Sequence, residues 1–163
     1  KEGSDIKIGF NPKFVIEAPG LLMMDNINDI YVDGGDRIWL ANYPAGVTIR
    51  NNRYQSYEWF RHSPGNSRSL VNDQVHDVIE DSEGDLWFAT SNGISLLQPA
   101  VGRWRSFLSR SDGIQDGGNH IFLTLCEVSP GVICAGGYAS GLYRIEKKTG
   151  RVEYFPPSFA EVV

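Results

Sequence analysis

Cysteine and methionine are nearly absent from this chain, with two of each in 163 residues. Two cysteines are no disulfide framework, and a metal centre would need further ligands beside them that are not evident in the sequence. Basic residues are the minority charge: 15 Lys and Arg stand against 20 Asp and Glu, a net charge of −5. Nucleic acid is therefore not expected as the main partner, because phosphate binding rests on a basic face. Long hydrophobic runs are missing too. Nothing approaches the ~18 consecutive apolar residues of a membrane span, so no membrane contact is expected of this segment. The three histidines, His62, His76 and His120, are scattered without a His-x-x-x-His or Cys-His pairing. Neither a Gly-x-Ser-x-Gly elbow nor a phosphate-cradling glycine loop occurs. The histidines accordingly read as surface or turn residues, and no catalytic residue, metal ligand or cofactor is expected. Lys1-Glu2-Gly3 is no initiator and no charged-then-apolar leader follows it, so the chain reads as an excised or mature piece.

What the chain does have is turn formers and aromatics: 18 glycines, eight prolines and 12% Phe, Trp and Tyr. That mixture suits many tight turns between short strands. It also repeats. Residues 27–41 read INDIYVDGGDRIWLA and residues 75–89 read VHDVIEDSEGDLWFA, an ungapped offset of 48 (87 − 39) that places Trp39 on Trp87. A more degraded copy, IFLTLCEVSPGVICA, covers 121–135; matching its last alanine to Ala89 gives an offset of 46 (135 − 89) and puts Ile133 in place of the tryptophan. Each copy continues with a glycine and an alternating apolar run, at Gly46, Gly93 and Gly141, then a turn and a short aromatic strand at 54–57, 103–107 and 151–155. Four strands per unit, a to d, follow from the alternation and from the β-branched and aromatic content.

A period near 45 residues with four short strands is the signature of a β-propeller blade. Residues 5–10 and 14–17 resemble strands c and d of a preceding blade. The expected fold is therefore all-β, a partial β-propeller of about three and a half four-stranded antiparallel blades. The divisions fall at 1–24 (outer strands of a preceding blade plus linker), 25–72, 73–118 and 119–163.

Individual positions carry two readings each. Asp81-Ser-Glu-Gly-Asp85 and its counterpart Asp33-Gly-Gly-Asp36 invite a calcium loop, yet they lie between strands a and b in the same register. Tight hairpin turns demand Asp and Gly there, and the turn is favoured. Trp39 and Trp87 read as packing between blades rather than as ligand platforms. The three glycines after strand b read as positions of positive φ. Cys126 and Cys134 flank a Ser-Pro-Gly turn on neighbouring strands; two small buried hydrophobes is the favoured reading, and a bridge is the alternative.

The b–c loops and the d–a linkers should emerge on one face. That face would gather Tyr43, Tyr138, Trp59, Arg61 and His62. A polar set near the axis, Asp25, Asp73 and Asn119, recurs ahead of each strand a, and His120 follows Asn119. Aromatic faces and polar side chains together suit a sugar, so Tyr43, Trp59, Arg61, His62, Asp73, Asn119, His120 and Tyr138 are the candidate ligand-binding residues.

The run Phe60-Arg-His-Ser-Pro-Gly-Asn-Ser-Arg-Ser-Leu70, then Asp73-Gln-Val75, Glu80-Asp81, Gly84-Asp-Leu-Trp87 and Ala89-Thr90, resembles the two-component regulator propeller repeat. The first unit also resembles it, and the third departs at the tryptophan and the acidic turn. The resemblance implies a fragment of the periplasmic sensor domain of a Bacteroides-type hybrid two-component system. That fragment would bind a small molecule, an oligosaccharide foremost, to regulate a histidine kinase outside this chain and feed its phosphorelay; the chain itself would not be an enzyme. Two rivals stand beside it. One is a propeller hydrolase or lyase, for which His120 with Asp73 or Asp25 is the one acid/base pairing in view. The other is a non-catalytic scaffold that self-associates through its blade edges.

Overall fold

The computed structural model describes residues 26–51, 53, 56–110 and 119–157. Among these residues, twelve strands form three separate four-stranded antiparallel sheets. The first blade holds β1 (Ile27–Val32), β2 (Arg37–Asn42), β3 (Gly46–Asn51) and β4 (Ser56–Phe60). The second holds β5 (Val75–Glu80), β6 (Leu86–Thr90), β7 (Gly93–Gln98) and β8 (Arg103–Phe107). The third holds β9 (Phe122–Ser129), β10 (Val132–Gly137), β11 (Gly141–Glu146) and β12 (Val152–Phe155). Each sheet is a meander in chain order, as expected for a to d. The preceding half blade expected at 5–17, and Asp25, lie outside the described residues.

The blades pack face to face in series. Trp39, Ala41, Val47 and Ile49 of the first blade bury against Val75, Val78, Leu86, Phe88 and Leu97 of the second. The opposite face of the second blade, with Trp87, Ala89, Ile94, Leu96 and Phe107, buries against Phe122, Leu125, Ile133, Ala135, Tyr143 and Ile145 of the third. Strand β6 is thus covered on both sides, and all five of its residues are buried. Burying so many large apolar side chains supplies the driving force, at ~25 cal/mol per Å².

Register fixes how the units correspond. Tyr31 pairs with Trp39, Ile79 with Trp87, and Cys126 with Cys134. The third unit is therefore displaced from the second by 47 residues (134 − 87), not 46, and Cys134, not Ile133, takes the tryptophan position. Ile133 corresponds to Leu86, on the face covered by the preceding blade.

Two further expectations are corrected. The outermost strand of the first blade extends to Phe60 instead of ending at Tyr57, because Phe60 and Trp59 pair with Val47 and Thr48 and the Phe60 ring stacks on Trp39 at 6.1 Å; residues 54 and 55 lie outside the described residues. The cysteines are not buried: Cys126 is exposed and Cys134 half-buried, and both are free thiols. The glycine expectation holds. Gly46, Gly93 and Gly141 have φ of +81°, +104° and +87°, and a Cβ on any of them would collide with the carbonyl oxygen of Phe60, Phe107 or Phe155 at the end of the neighbouring outer strand.

Candidate functional site

Three polar devices repeat between blades and set the loop face in place. Asp29 on β1 accepts the Val78 N–H of the next blade at 3.0 Å, and Asp77 on β5 accepts the Leu125 N–H at 2.6 Å. At the other end of these strands, Glu80 accepts from Tyr31 and Gly34, and Glu127 accepts from the backbone and hydroxyl of Ser82. Burial and the neighbouring Glu80 push the Tyr31 phenol up to about 12. Burial, together with the adjoining Asp29, raises the Asp77 carboxyl, although the Leu125 N–H and Thr124 pull against the rise.

The third device is the acidic hairpin turn. Asp33 Oδ1 accepts the N–H groups of Gly35 and Arg37, while Oδ2 accepts the Trp39 indole N–H at 2.8 Å. Asp81 does the same for Glu83, Asp85 and the Trp87 indole. The aspartate thus shapes the turn and satisfies a buried indole donor, a group that is costly to leave unpaired. In the second blade, Lys147 of the third reaches over and sets its Nζ 2.6 Å from Asp81, 2.8 Å from Glu83 and 2.7 Å from Asp85. The cation among these acids is the lysine ammonium, which accounts for the acidic cluster without calcium. Burial alone would raise Asp81, but Lys147, the Trp87 indole and the Asp85 N–H outweigh it and hold the carboxyl low. Burial likewise opposes the Lys147 ammonium, and the three carboxylates overcome it and hold its pKa above the ordinary value.

On the opposite face the b–c loops dock on the entry to each inner strand. The N–H groups of Tyr43, Ser91 and Tyr138 donate to the carbonyls of Asn26, Gln74 and Ile121, so these three loop residues are equivalent. Between the first two lies His76. Its Nε2 is 2.8 Å from Ser91 Oγ, its Nδ1 is 3.4 Å from Asn28 Nδ2, and its ring lies 5.7 Å from that of Tyr43 at 38°. Asn28 Nδ2 also donates to the Val75 carbonyl at 2.9 Å, which orients the amide nitrogen toward the imidazole. The imidazole thus bridges Asn28 of one blade and Ser91 of the next loop through its two ring nitrogens. Burial lowers the His76 pKa, favouring the neutral ring. Together the residues form a hydrogen-bonded platform beside the Tyr43 ring.

The eight sequence candidates fall into two groups. Tyr43 is half-buried on the His76 platform, and Tyr138 is 57% exposed on the equivalent loop of the third blade. Asn119 donates to the Tyr138 carbonyl and accepts the Ile121 N–H. The rest mostly hold their own linkers. Asp73 accepts the His62 N–H at 2.6 Å and Arg61 at 3.4 Å, and its carbonyl takes the Gly46 N–H. His62 Nδ1 lies 2.8 Å from the Leu70 carbonyl and His120 Nδ1 2.8 Å from the Leu108 carbonyl. The His120 carbonyl takes the Gly93 N–H, so His120, not Asn119, is the counterpart of Asp73. Trp59 is 46% exposed on β4, a strand residue and not a linker one. Sequence reasoning missed Asn28, His76 and Ser91. For Asn28 and His76 the signal was a shared polar residue at the second position of the first two inner strands, where the third carries Leu123; nothing local marks Ser91.

Twelve strands in three chain-ordered, face-packed antiparallel sheets are the blades of a β-propeller. Residues 69–92, the linker and inner hairpin of the second blade, match the family model for the two component regulator propeller. No curated protein matches the chain. Among solved structures, it is similar to the extracellular domain of BT3049 of B. thetaiotaomicron, which is described as belonging to a hybrid two component system. The TM-score is 0.69 at 23% identity, over 79% of this chain and 18% of that one. The extracellular domain of BT4673 from the same organism, described likewise, gives 0.61 at 19% identity, over 79% and 16%. These likenesses establish the shared fold, and the chain spans under a fifth of either structure.

Proposed function

We propose that this chain is part of the extracytoplasmic, periplasmic propeller of a hybrid two-component sensor, and that its b–c loop face takes an oligosaccharide without altering it. The observation that carries the reading is the platform of Tyr43, His76, Ser91 and Asn28. It offers an aromatic face, an amide and a hydroxyl side by side, which is the mixture a sugar's C–H faces and hydroxyls require. His120 and Asp73, the acid/base pairing that the sequence offers, are each engaged within their own linkers. The regulator-propeller match over 69–92 and the likeness to two extracellular domains support the sensor setting. Binding would bias a kinase carried elsewhere.

Native mass spectrometry of the chain with a panel of plant and host oligosaccharides tests this. The expected spectrum has an intact sugar adduct, weakened at least tenfold by Tyr43→Ala. Cleaved sugar would move the assignment to a hydrolase or lyase, and no adduct across the panel would remove the site from this face. The same spectrum addresses self-association. The outward face of the third blade exposes Val128, Leu142 and Phe155 at 56%, 43% and 48%, and a discrete dimer without a sugar adduct would favour a scaffold.

A further inference from the structure

The third blade leaves one arrangement that neither packing nor the loop face accounts for. We propose that Cys126 and Cys134 close a cross-strand disulfide in the third blade, by exchange with an external disulfide, at the position where the first two blades carry a tied tryptophan.

The geometry comes from the sheet. Cys126 and Cys134 are direct partners across β9 and β10, so their side chains lie on one face. The Leu125 N–H is turned away from β10, toward Asp77 of the neighbouring blade. Successive N–H groups of a strand point in opposite directions, so the Cys126 N–H is directed at β10 and the cysteines form a hydrogen-bonded pair. Such pairs are ~5.5 Å apart at Cα, inside the ~4.4–6.8 Å range of disulfides. Their Cβ atoms, ~5.5 Å apart, must close by about 1 Å, so the bridge is a strained one that an excess of thiol reduces readily. Access is provided as well, since Cys126 is exposed.

Three positions have changed together to make this site. The first two blades hold Tyr31 or Ile79 opposite a tryptophan, and an aspartate at the hairpin head accepts the indole proton. In the third, Cys126 and Cys134 are the pair, and Val128 stands where the aspartate would be. Donor, acceptor and cross-strand neighbour are all replaced, and the hairpin loses its indole tie. A second thiol opposite the first is not needed to fill the space of an indole; it supplies a covalent tie.

The step balances with a disulfide as oxidant. The Cys126 thiolate attacks one sulfur of the external disulfide and expels the other as a thiolate, leaving a mixed disulfide. The Cys134 thiolate then attacks Cys126 Sγ and expels the second thiolate. Two protein thiols are oxidised, the external disulfide is reduced to two thiols, and those thiols keep the two protons.

The test uses the full 163-residue chain and oxidised glutathione as the probe. After incubation the chain is denatured, alkylated with iodoacetamide and digested; the tryptic fragment 111–144 carries both cysteines. The expected result is a fragment lighter by two hydrogens with no alkylation, while Cys134→Ser traps a single glutathione on Cys126. Two alkylated cysteines after oxidation, two glutathiones on the wild-type fragment, or a disulfide-linked dimer would each overturn the proposal.

Discussion

The hairpins of the first two blades fasten a buried indole to an aspartate at their own turn, whereas the third has valine and cysteine at those positions. Trp39 and Trp87 are 1% and 0% exposed, each on a face covered by the following blade, and Cys134 is only half-buried on a face with no covering sheet among the described residues. The difference shows what the tryptophan is for. It belongs to the surface between blades, and the aspartate travels with it because an indole N–H buried there needs an acceptor. The two interfaces differ in charge as well. The first keeps its turn acid satisfied locally, by Arg37 at 2.7 Å, and the second draws an ammonium across from the next blade.

The largest break in this comparison should come from truncating the indoles. Trp87→Ala, and Trp39→Ala beside it, should each cost ~3–5 kcal/mol by chemical denaturation, the range for a buried aromatic. Cys134→Ala in the reduced chain should cost under ~1 kcal/mol. Equal losses at all three positions would mean that the third hairpin packs like the others after all.

Lys147→Met comes next. It leaves Asp81 buried without its ammonium and should cost ~3 kcal/mol at neutral pH. The Asp81 carboxyl is held below its ordinary value, so its contribution is present above ~3.9 and is lost as the pH falls through the lower folded value. The Lys147 pKa is raised, so its contribution is complete below ~10.4 and lost only as the pH climbs through the higher folded value. Wild type and variant should therefore differ most on a plateau between roughly pH 4 and 10 and converge in acid. A gap that widened in acid would contradict the ion-pair account.

Asp77→Ala strands the Leu125 N–H and should cost ~1–2 kcal/mol, with Asp29→Ala close behind through Val78. Smallest of all, Arg37→Ala should change stability by less than ~1 kcal/mol, since its side chain is 37% exposed. An Arg37 loss as large as that at Lys147 would erase the distinction between the two interfaces.

Much of this architecture was legible in the sequence, and the misreadings have a physical cause. Four strands per unit and the repeated turns follow from alternation, and the glycine at 46, 93 and 141 marks where a Cβ cannot fit. The third unit slipped by one residue because its b strand, Val-Ile-Cys-Ala, offers no polar–apolar alternation to set the register. A strand built to be covered on both faces, as β6 is, reads as a continuous apolar run, and a one-residue slip leaves that run looking the same. The same slip hid the equivalence of Asp73 and His120. The loop face was placed correctly from connectivity, but His76 read as a surface residue because its partners, Asn28 and Ser91, come from another blade and another loop. Lys147 was invisible for the same reason: nothing local announces that an ammonium 66 residues away will settle on Asp81.

The most direct test of the account is a two-dimensional amide NMR titration of the chain with an oligosaccharide that native mass spectrometry finds bound. The account predicts shifts concentrated at Tyr43, His76, Ser91 and Tyr138, with the hairpin heads at Asp33 and Asp81 unmoved. Shifts gathered at those hairpin heads, or on the open face of β9 to β12, would contradict it.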